Sequence, residues 1–107
     1  MKVKELCDRQ KGVDVDLKVL DVIGERDYHG AKKSGKVITA VCTDGETQCD
    51  VSIWDKQIDE LKKKFEKNRS NTKLKVRNGY CKFYTPSPEV AIKIELTPGM
   101  IGNIIIE

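Results

Sequence analysis

Five stretches of the chain have β character, and in most of them hydrophobic and polar residues alternate, a pattern typical of β-strands with one buried face. The stretches are residues 13–19, 36–43, 47–54, 72–84 and 89–96. The alternation slips at residues 20–23, as a β-bulge produces, and an Asn-Gly pair at residues 78–79 predicts a second irregularity. The polar, glycine-containing stretch 24–35 predicts a long hairpin loop. The Asp-Gly pair at residues 44–45 predicts a tight turn between the second and third strands.

A helical period separates the third predicted strand from the fourth. Ile58, Leu61 and Phe65 recur at positions i, i+3 and i+7, which places them on one face, and Asp55 is a candidate N-cap. The predicted order is therefore β-β-β-α-β-β. Several small all-β folds have five strands, but a helix between strands three and four favours a five-stranded OB-fold barrel over an SH3-like barrel.

The length of 107 residues predicts one domain, residues 1–107, which can bury a core of its own. Residues 1–12 predict an N-terminal arm or short helix that packs on the body. Residues 98–107 form a C-terminal apolar tail, whose isoleucines make it a candidate final strand.

Trp54, the only tryptophan, ends the third predicted strand. Strand alternation places Cys49, Val51 and Ile53 on one face and leaves Trp54 on the other. That second face is otherwise polar, with Gln48, Asp50 and Ser52. Tryptophans are highly buried on average, so one interpretation is that another part of the chain covers the ring. The other interpretation is that the ring serves as an exposed stacking platform.

The charge and the absence of long apolar runs narrow the function classes. The chain has 20 Lys and Arg against 17 Asp and Glu, a net charge of +3, which argues mildly for an anionic partner. No apolar run approaches the roughly 20 residues of a membrane span, and no signal-peptide pattern follows the first residues. We therefore expect a cytoplasmic or nucleoid-associated protein that does not bind membranes.

Neither a metal, a cofactor nor an enzyme activity is expected. The four cysteines form no C-x-x-C pair and the chain has one histidine, so the spacing does not match a zinc site. Three cysteines lie in strand-like runs and are interpreted as small buried hydrophobes. No paired carboxylates, Ser–His–Asp set or phosphate-binding glycine loop is present in the sequence.

Three stretches resemble the replication protein A type of OB domain, in particular its archaeal members. Residues 41–55 read Val-Cys-Thr-Asp-Gly-Glu-Thr-Gln-Cys-Asp-Val-Ser-Ile-Trp-Asp, similar to the family's acidic-glycine turn and its strand that ends in an aromatic residue. Residues 73–84 resemble the fourth strand, where an Asn/Gly segment leads to a second aromatic, and residues 102–106 resemble the glycine-isoleucine finish. The chain departs from the family in the order of its turn residues. It also has Thr-Pro-Ser-Pro at residues 85–88 in place of a long basic hairpin.

The resemblance implies a protein of replication or repair that binds single-stranded DNA by base stacking and phosphate contacts, with low sequence specificity. Trp54 matches the stacking aromatic of strand three and Tyr84 that of strand four, with Phe83 taking its place if the irregularity shifts the strand phase. Cations beside such rings would meet phosphates. The candidates, with a further ring, are Arg26, Tyr28, His29, Lys32, Lys33, Lys36, Lys75, Arg77 and Lys82. Asp50, near Trp54, works against phosphate binding.

Two alternatives stay open. In the first, the chain is an OB-fold interaction subunit that joins other OB-fold subunits, or itself, through the C-terminal apolar tail of Ile101, Ile104, Ile105 and Ile106. In the second, the same groove binds RNA, because groove chemistry of this kind serves both polymers.

Overall fold

The computed structural model describes residues 2–29, 34–84, 93–98 and 102–107. The side chains of Tyr28, His29, Ser34, Lys56, Tyr84 and Lys93 lie outside the description. A short 3-10 turn, Val3–Glu5, precedes six strands and one helix. The elements are β1 (Val13–His29), β2 (Ser34–Thr43), β3 (Gln48–Trp54), α1 (Lys56–Lys67), β4 (Lys73–Tyr84), β5 (Lys93–Thr97) and β6 (Asn103–Ile106).

Five strands close into a ring in the order β1-β2-β3-β5-β4, with β4 pairing back onto β1. β3 and β5 run parallel, and the other neighbours are antiparallel. β6 adds to the first half of β4, from Leu74 to Arg77. The chain is thus mostly β with one helix between β3 and β4, consistent with an OB-like fold, and the predicted element order is confirmed for these elements.

The first strand is longer than the sequence pattern predicts, and the hairpin loop predicted for residues 24–35 is wrong. β1 continues to His29 and β2 begins at Ser34. Gly24 adopts φ +70° within an irregularity of the β1–β2 pairing, between Ile23 and Arg26. Glycine accepts this left-handed backbone without strain, so here it marks a bulge inside a strand instead of a turn.

The core lies inside the ring and under the helix. Ile58, Leu61 and Phe65 are buried in it, as their helical spacing predicts. Asp55 precedes the helix, but the prediction that its side chain caps the helix is wrong. Its Oδ1 instead accepts a hydrogen bond from the Lys36 N–H at 3.1 Å, which ties the start of the helix to β2.

The N-terminal residues 2–12 contact the body of the fold. Val3 and Leu6 belong to the core. Val3 N–H donates to Asp44 Oδ2 at 2.8 Å, and farther along the arm Asp8 Oδ1 accepts from the Phe83 N–H at 2.8 Å. The arm therefore bridges the β2–β3 turn and the second half of β4.

The described part of the C-terminal tail belongs to the folded body as strand β6. Ile104 and Ile106 are buried in the core, and Ile105 is 41% exposed. Gln57 Nε2 donates to the Ile104 carbonyl, and Lys64 Nζ donates to the Ile106 carbonyl, each at 2.6 Å. Helix side chains thus cover the outer hydrogen-bonding edge of β6. Ile101 lies outside the described residues, as do residues 89–92 at the predicted start of the fifth strand.

Cys42, Cys49 and Cys81 are buried free thiols, as interpreted from the sequence, and Cys7 is exposed. Burial raises the pKa of Cys49 to about 12 and that of Cys81 to about 11. No helix among the described residues is long and apolar enough to cross a membrane.

Candidate nucleic-acid interface

The outer face of β1, β2 and β3 is built from cross-strand rows. Residues directly opposite each other in antiparallel strands share a face of the sheet. The registers that define the rows are Arg26–Val37–Trp54, Ile23–Thr39–Ser52 and Asp21–Val41–Asp50. The inner residues that alternate with them, such as Ile38 and Ile53, are in the core. The predicted phase of the Trp54 strand is therefore confirmed.

Trp54 is 36% exposed, so the described residues leave a substantial part of its ring open to solvent. It ends β3 on the outer face, in the row that also holds Arg26. Ser52, in the next row, is only 3% exposed, although strand alternation places it on the solvated face. Its Oγ donates a hydrogen bond to Glu95 Oε1 at 2.9 Å, so β5 supplies its partner.

A groove of about 310 Å³ lies beside this row. It is lined by Arg26, Thr39, Asp50, Ser52, Lys82 and Glu95, which come from all five strands of the ring. Within the described ranges, neither Arg26 nor Lys82 forms an ion pair with a carboxylate. Arg26 and Lys82 are therefore the groove's candidate contacts for phosphates.

Carboxylates occupy the middle of the same groove. Asp50 on β3 pairs with Glu95 on β5, and Glu95 pairs in turn with Lys82 on β4. Asp21 continues this row on β1 through Val41. The centre of the groove therefore carries negative charge, and its positive charge comes from Arg26 and Lys82.

β4 carries two candidate rings, Phe83 and Tyr84. Phe83 is half-buried and packs against the core, and its neighbour Cys81 on the same phase is fully buried. This placement puts Phe83 on the core side of β4 and does not favour the interpretation that it stacks on bases, which stays a prediction. Tyr84 pairs through its backbone with Lys93, and its side chain lies outside the description.

The structure does not bring Lys75 and Arg77 to the groove. They lie on the first half of β4, between β1 and β6, and each has a carboxylate partner. Lys75 Nζ is 2.8 Å from Glu107 Oε1, and Arg77 Nη2 is 2.7 Å from Asp16 Oδ1. The guanidinium that hydrogen-bonds Asp16 lowers the pKa of that carboxyl.

The cations predicted for the first hairpin do not all lie at the groove. Arg26 lines the groove. Lys36 alternates with Val37 to the other side of β2, and its Nζ lies 3.9 Å from Glu25 Oε1. Lys32 and Lys33 lie outside the described residues, and the side chains of Tyr28 and His29 are not described.

Thr39, Ser52 and Glu95 are groove residues that the sequence analysis did not identify as site residues. Ser52 and Glu95 occupy the polar phase of an alternating strand, which is the only signal the sequence carries for them, whereas Thr39 shares its phase with Val37 and Val41. Their meeting depends on the parallel pairing of β3 with β5, which joins segments more than 40 residues apart and leaves no local pattern.

Comparison with known proteins supports the fold and leaves the activity open. No protein-family model matches the chain, and no curated protein matches it by sequence. The chain is similar in structure to the replication factor A related protein from Methanobacterium thermoautotrophicum, solved by NMR, with a TM-score of 0.67 and 14% identity. The match covers 100% of this chain and 89% of that one. At this identity the likeness concerns the fold alone.

Proposed function

We propose that the protein binds single-stranded nucleic acid, most naturally single-stranded DNA, on the outer face of a five-stranded OB-fold barrel. It acts as a binding protein of replication or repair and not as an enzyme. The observation that carries the proposal is the placement of Trp54, 36% exposed at the end of β3 and in one row with Arg26. The replication-related structural neighbour supports the same class of function.

The physical argument rests on what single strands expose. Every nucleotide offers a phosphate charge and a flat apolar base, so a sequence-tolerant site needs rings and cations along one groove. Trp54 supplies a ring, with about 1–3 kcal/mol per stacked base. Arg26 and Lys82 supply cations on either side of the groove's carboxylates. With one described ring and two cations, we expect micromolar affinity that falls with salt.

The register of β3, β5 and β4 indicates the path that a bound nucleic-acid strand would take. Trp54 lies four residues beyond Asp50 on β3, whereas Tyr84 pairs with Lys93, two residues before the Asp50 partner Glu95. β3 and β5 are parallel, so the two backbone positions are about 20 Å apart along the strand direction at ~3.3 Å per residue. Trp54 and Tyr84 would therefore serve different nucleotides, with the groove between them.

Titration of the Trp54 fluorescence with a short mixed-sequence oligonucleotide tests the proposal. Because the chain has one tryptophan, any quenching comes from the ring in question. We expect saturable quenching that weakens between about 50 and 200 mM salt, since phosphate contacts release counterions. The RNA version of the same sequence ranks the two polymers. Absence of any binding, measured both by quenching and by anisotropy of a labelled oligonucleotide, would overturn the proposal.

The described tail residues do not favour the alternative of an interaction subunit that joins others through its C-terminus. Ile104 and Ile106 are in the core, and Gln57 and Lys64 occupy the carbonyls of the β6 edge. A partner strand would have to displace both side chains before it could pair with that edge.

A further inference from the structure

The chemistry of the groove centre bears on which bases the site accepts. Asp50 and Glu95 are direct partners on the parallel strands β3 and β5, and both line the groove between Arg26 and Lys82. A phosphate placed over these two carboxylates would meet like charge in a partly enclosed site. A nucleic-acid strand that follows the groove therefore has its phosphates near the cations and its base edges over the carboxylates.

We propose that Glu95, with Asp50 beside it, makes this groove select bases that carry an exocyclic amino group, cytosine foremost, over thymine and uracil. The inference rests on the proposed function, because it assigns a base preference to the same groove. It refines the low sequence specificity expected from stacking alone.

Glu95 is held as a hydrogen-bond acceptor. Ser52 is nearly buried, and its Oγ donates to Glu95 Oε1 at 2.9 Å, which fixes the orientation of the carboxylate. Among the described residues, Ser52 is the only hydrogen-bond donor to Glu95 and it uses Oε1, so no described residue occupies Oε2. The neighbour Lys82 supplies positive charge on the adjacent strand without an ion pair to Glu95.

An ionised carboxylate accepts hydrogen bonds and cannot donate them. The N4 amino group of cytosine is a matching donor, and Asp and Glu are the side chains that accept from it. Thymine and uracil present the O4 carbonyl at the same position, which would face the carboxylate oxygens with like partial charge. We expect the groove to bind oligo-dC about 5- to 150-fold more tightly than oligo-dT, the range of one good base-edge contact.

The test compares the dC:dT affinity ratio in the full chain and in Glu95→Gln, measured by anisotropy at one salt concentration. A Gln amide offers a donor as well as an acceptor, so it can meet the O4 carbonyl of thymine. We expect the ratio in E95Q to fall toward one. Glu66→Gln on the exposed side of α1 is the matched control, since it removes the same charge and should leave the ratio unchanged.

Oligo-dU distinguishes the effect of the cytosine amino group from that of the thymine methyl group, because uracil has neither. If the amino group decides, oligo-dU binds like oligo-dT, and binding like oligo-dC would overturn the inference. Asp50→Asn is the second variant if E95Q does not fold, and it should lower the ratio in the same direction.

The experiment distinguishes a failure of the proposed function from a failure of the base preference. If no oligonucleotide binds, the proposed function fails. If oligo-dT binds as tightly as oligo-dC, or if the ratio is the same in the wild type, E95Q and D50N, the base preference is wrong while the binding function stands.

Discussion

Trp54 lies directly across from Val37 in the β2–β3 ladder, on the outer face of the sheet. Val37 is only 5% exposed, although it is not part of the core cluster inside the ring. The outer face at this point therefore combines a shielded aliphatic residue with a half-open indole. A shielded aliphatic residue beside a partly exposed indole is suited to the face of a base, because apolar surfaces gain from leaving water.

Replacing Trp54 by Ala should weaken binding of a single-stranded oligonucleotide by about 1–3 kcal/mol, roughly 5- to 150-fold in Kd. The loss comes from the stacked ring, and the Phe variant should recover part of it. Anisotropy of a labelled oligonucleotide measures the effect, and circular dichroism checks the fold.

Ile105→Ala is the matched control for this variant, because it truncates another exposed hydrophobic residue, on β6 and away from the groove. Equal affinity of the Trp54→Ala variant and the wild type would remove Trp54 from the site. Equal weakening by both variants would point to a general loss of stability.

Removal of the groove cations should change the salt dependence of binding. Arg26→Gln and Lys82→Gln should each lower the slope of log K against log salt by about 0.7, the value for one phosphate contact on a single strand. Lys75→Gln should leave the slope unchanged, since Lys75 pairs with Glu107 on the β1–β4–β6 side of the molecule. If Lys75→Gln changed the slope as much as Lys82→Gln, the bound nucleic-acid strand would follow a path other than this groove.

The placement of these cations shows where sequence patterns stop being informative. The irregularity at Asn78-Gly79 is predicted from sequence, and Asn78 does adopt φ +53°. The consequence is not predictable from the pattern: the first half of β4 pairs with β1 and β6, and the second half pairs with β5. Lys75 and Lys82 are separated for that reason, although both lie on one predicted strand.

The phase of β3 could be predicted because alternation is a local property. Cys49, Val51 and Ile53 are inside and Trp54 is outside, as the sequence indicates. The extent of β1 could not be predicted from the sequence, since Gly24 is equally compatible with a turn and with a bulge. Glu95 reaches the groove only through the parallel β3–β5 pairing, so its contact with Ser52 is a tertiary feature.

Asp44 should make the stability of the fold depend on pH in the acid range. Its carboxylate accepts from the backbone N–H groups of Thr47, Glu46 and Val3, which lower its pKa from 3.8 to about 2. Because the folded-state pKa is the lower one, this stabilisation is present above about pH 4. It is lost as the pH falls from about 4 toward 2.

Asp44→Asn keeps one acceptor oxygen and loses the charge, so it should lower the free energy of unfolding at pH 7 by roughly 1 kcal/mol. The difference from the wild type should shrink below about pH 3, where the wild-type carboxyl is itself becoming protonated. Urea titrations at both pH values, followed by Trp54 fluorescence, measure it. Asp27→Asn on the exposed part of β1 is the control. A difference that stayed constant with pH would contradict this role of Asp44.

Gln57 and Lys64 should protect the outer edge of β6. Their side chains donate to the carbonyls of Ile104 and Ile106, which point away from β4 because the Lys73–Glu107 backbone pair sets the hydrogen-bonding phase. An edge strand without such cover is open to pairing with another chain. The double variant Gln57→Ala/Lys64→Ala should therefore speed amide exchange at residues 103–106 and promote concentration-dependent self-association, measured by hydrogen exchange and sedimentation. Lys63→Ala on the exposed side of the same helix should do neither. Unchanged exchange and a monomeric double variant would show that other contacts hold β6 and that its edge needs no cover.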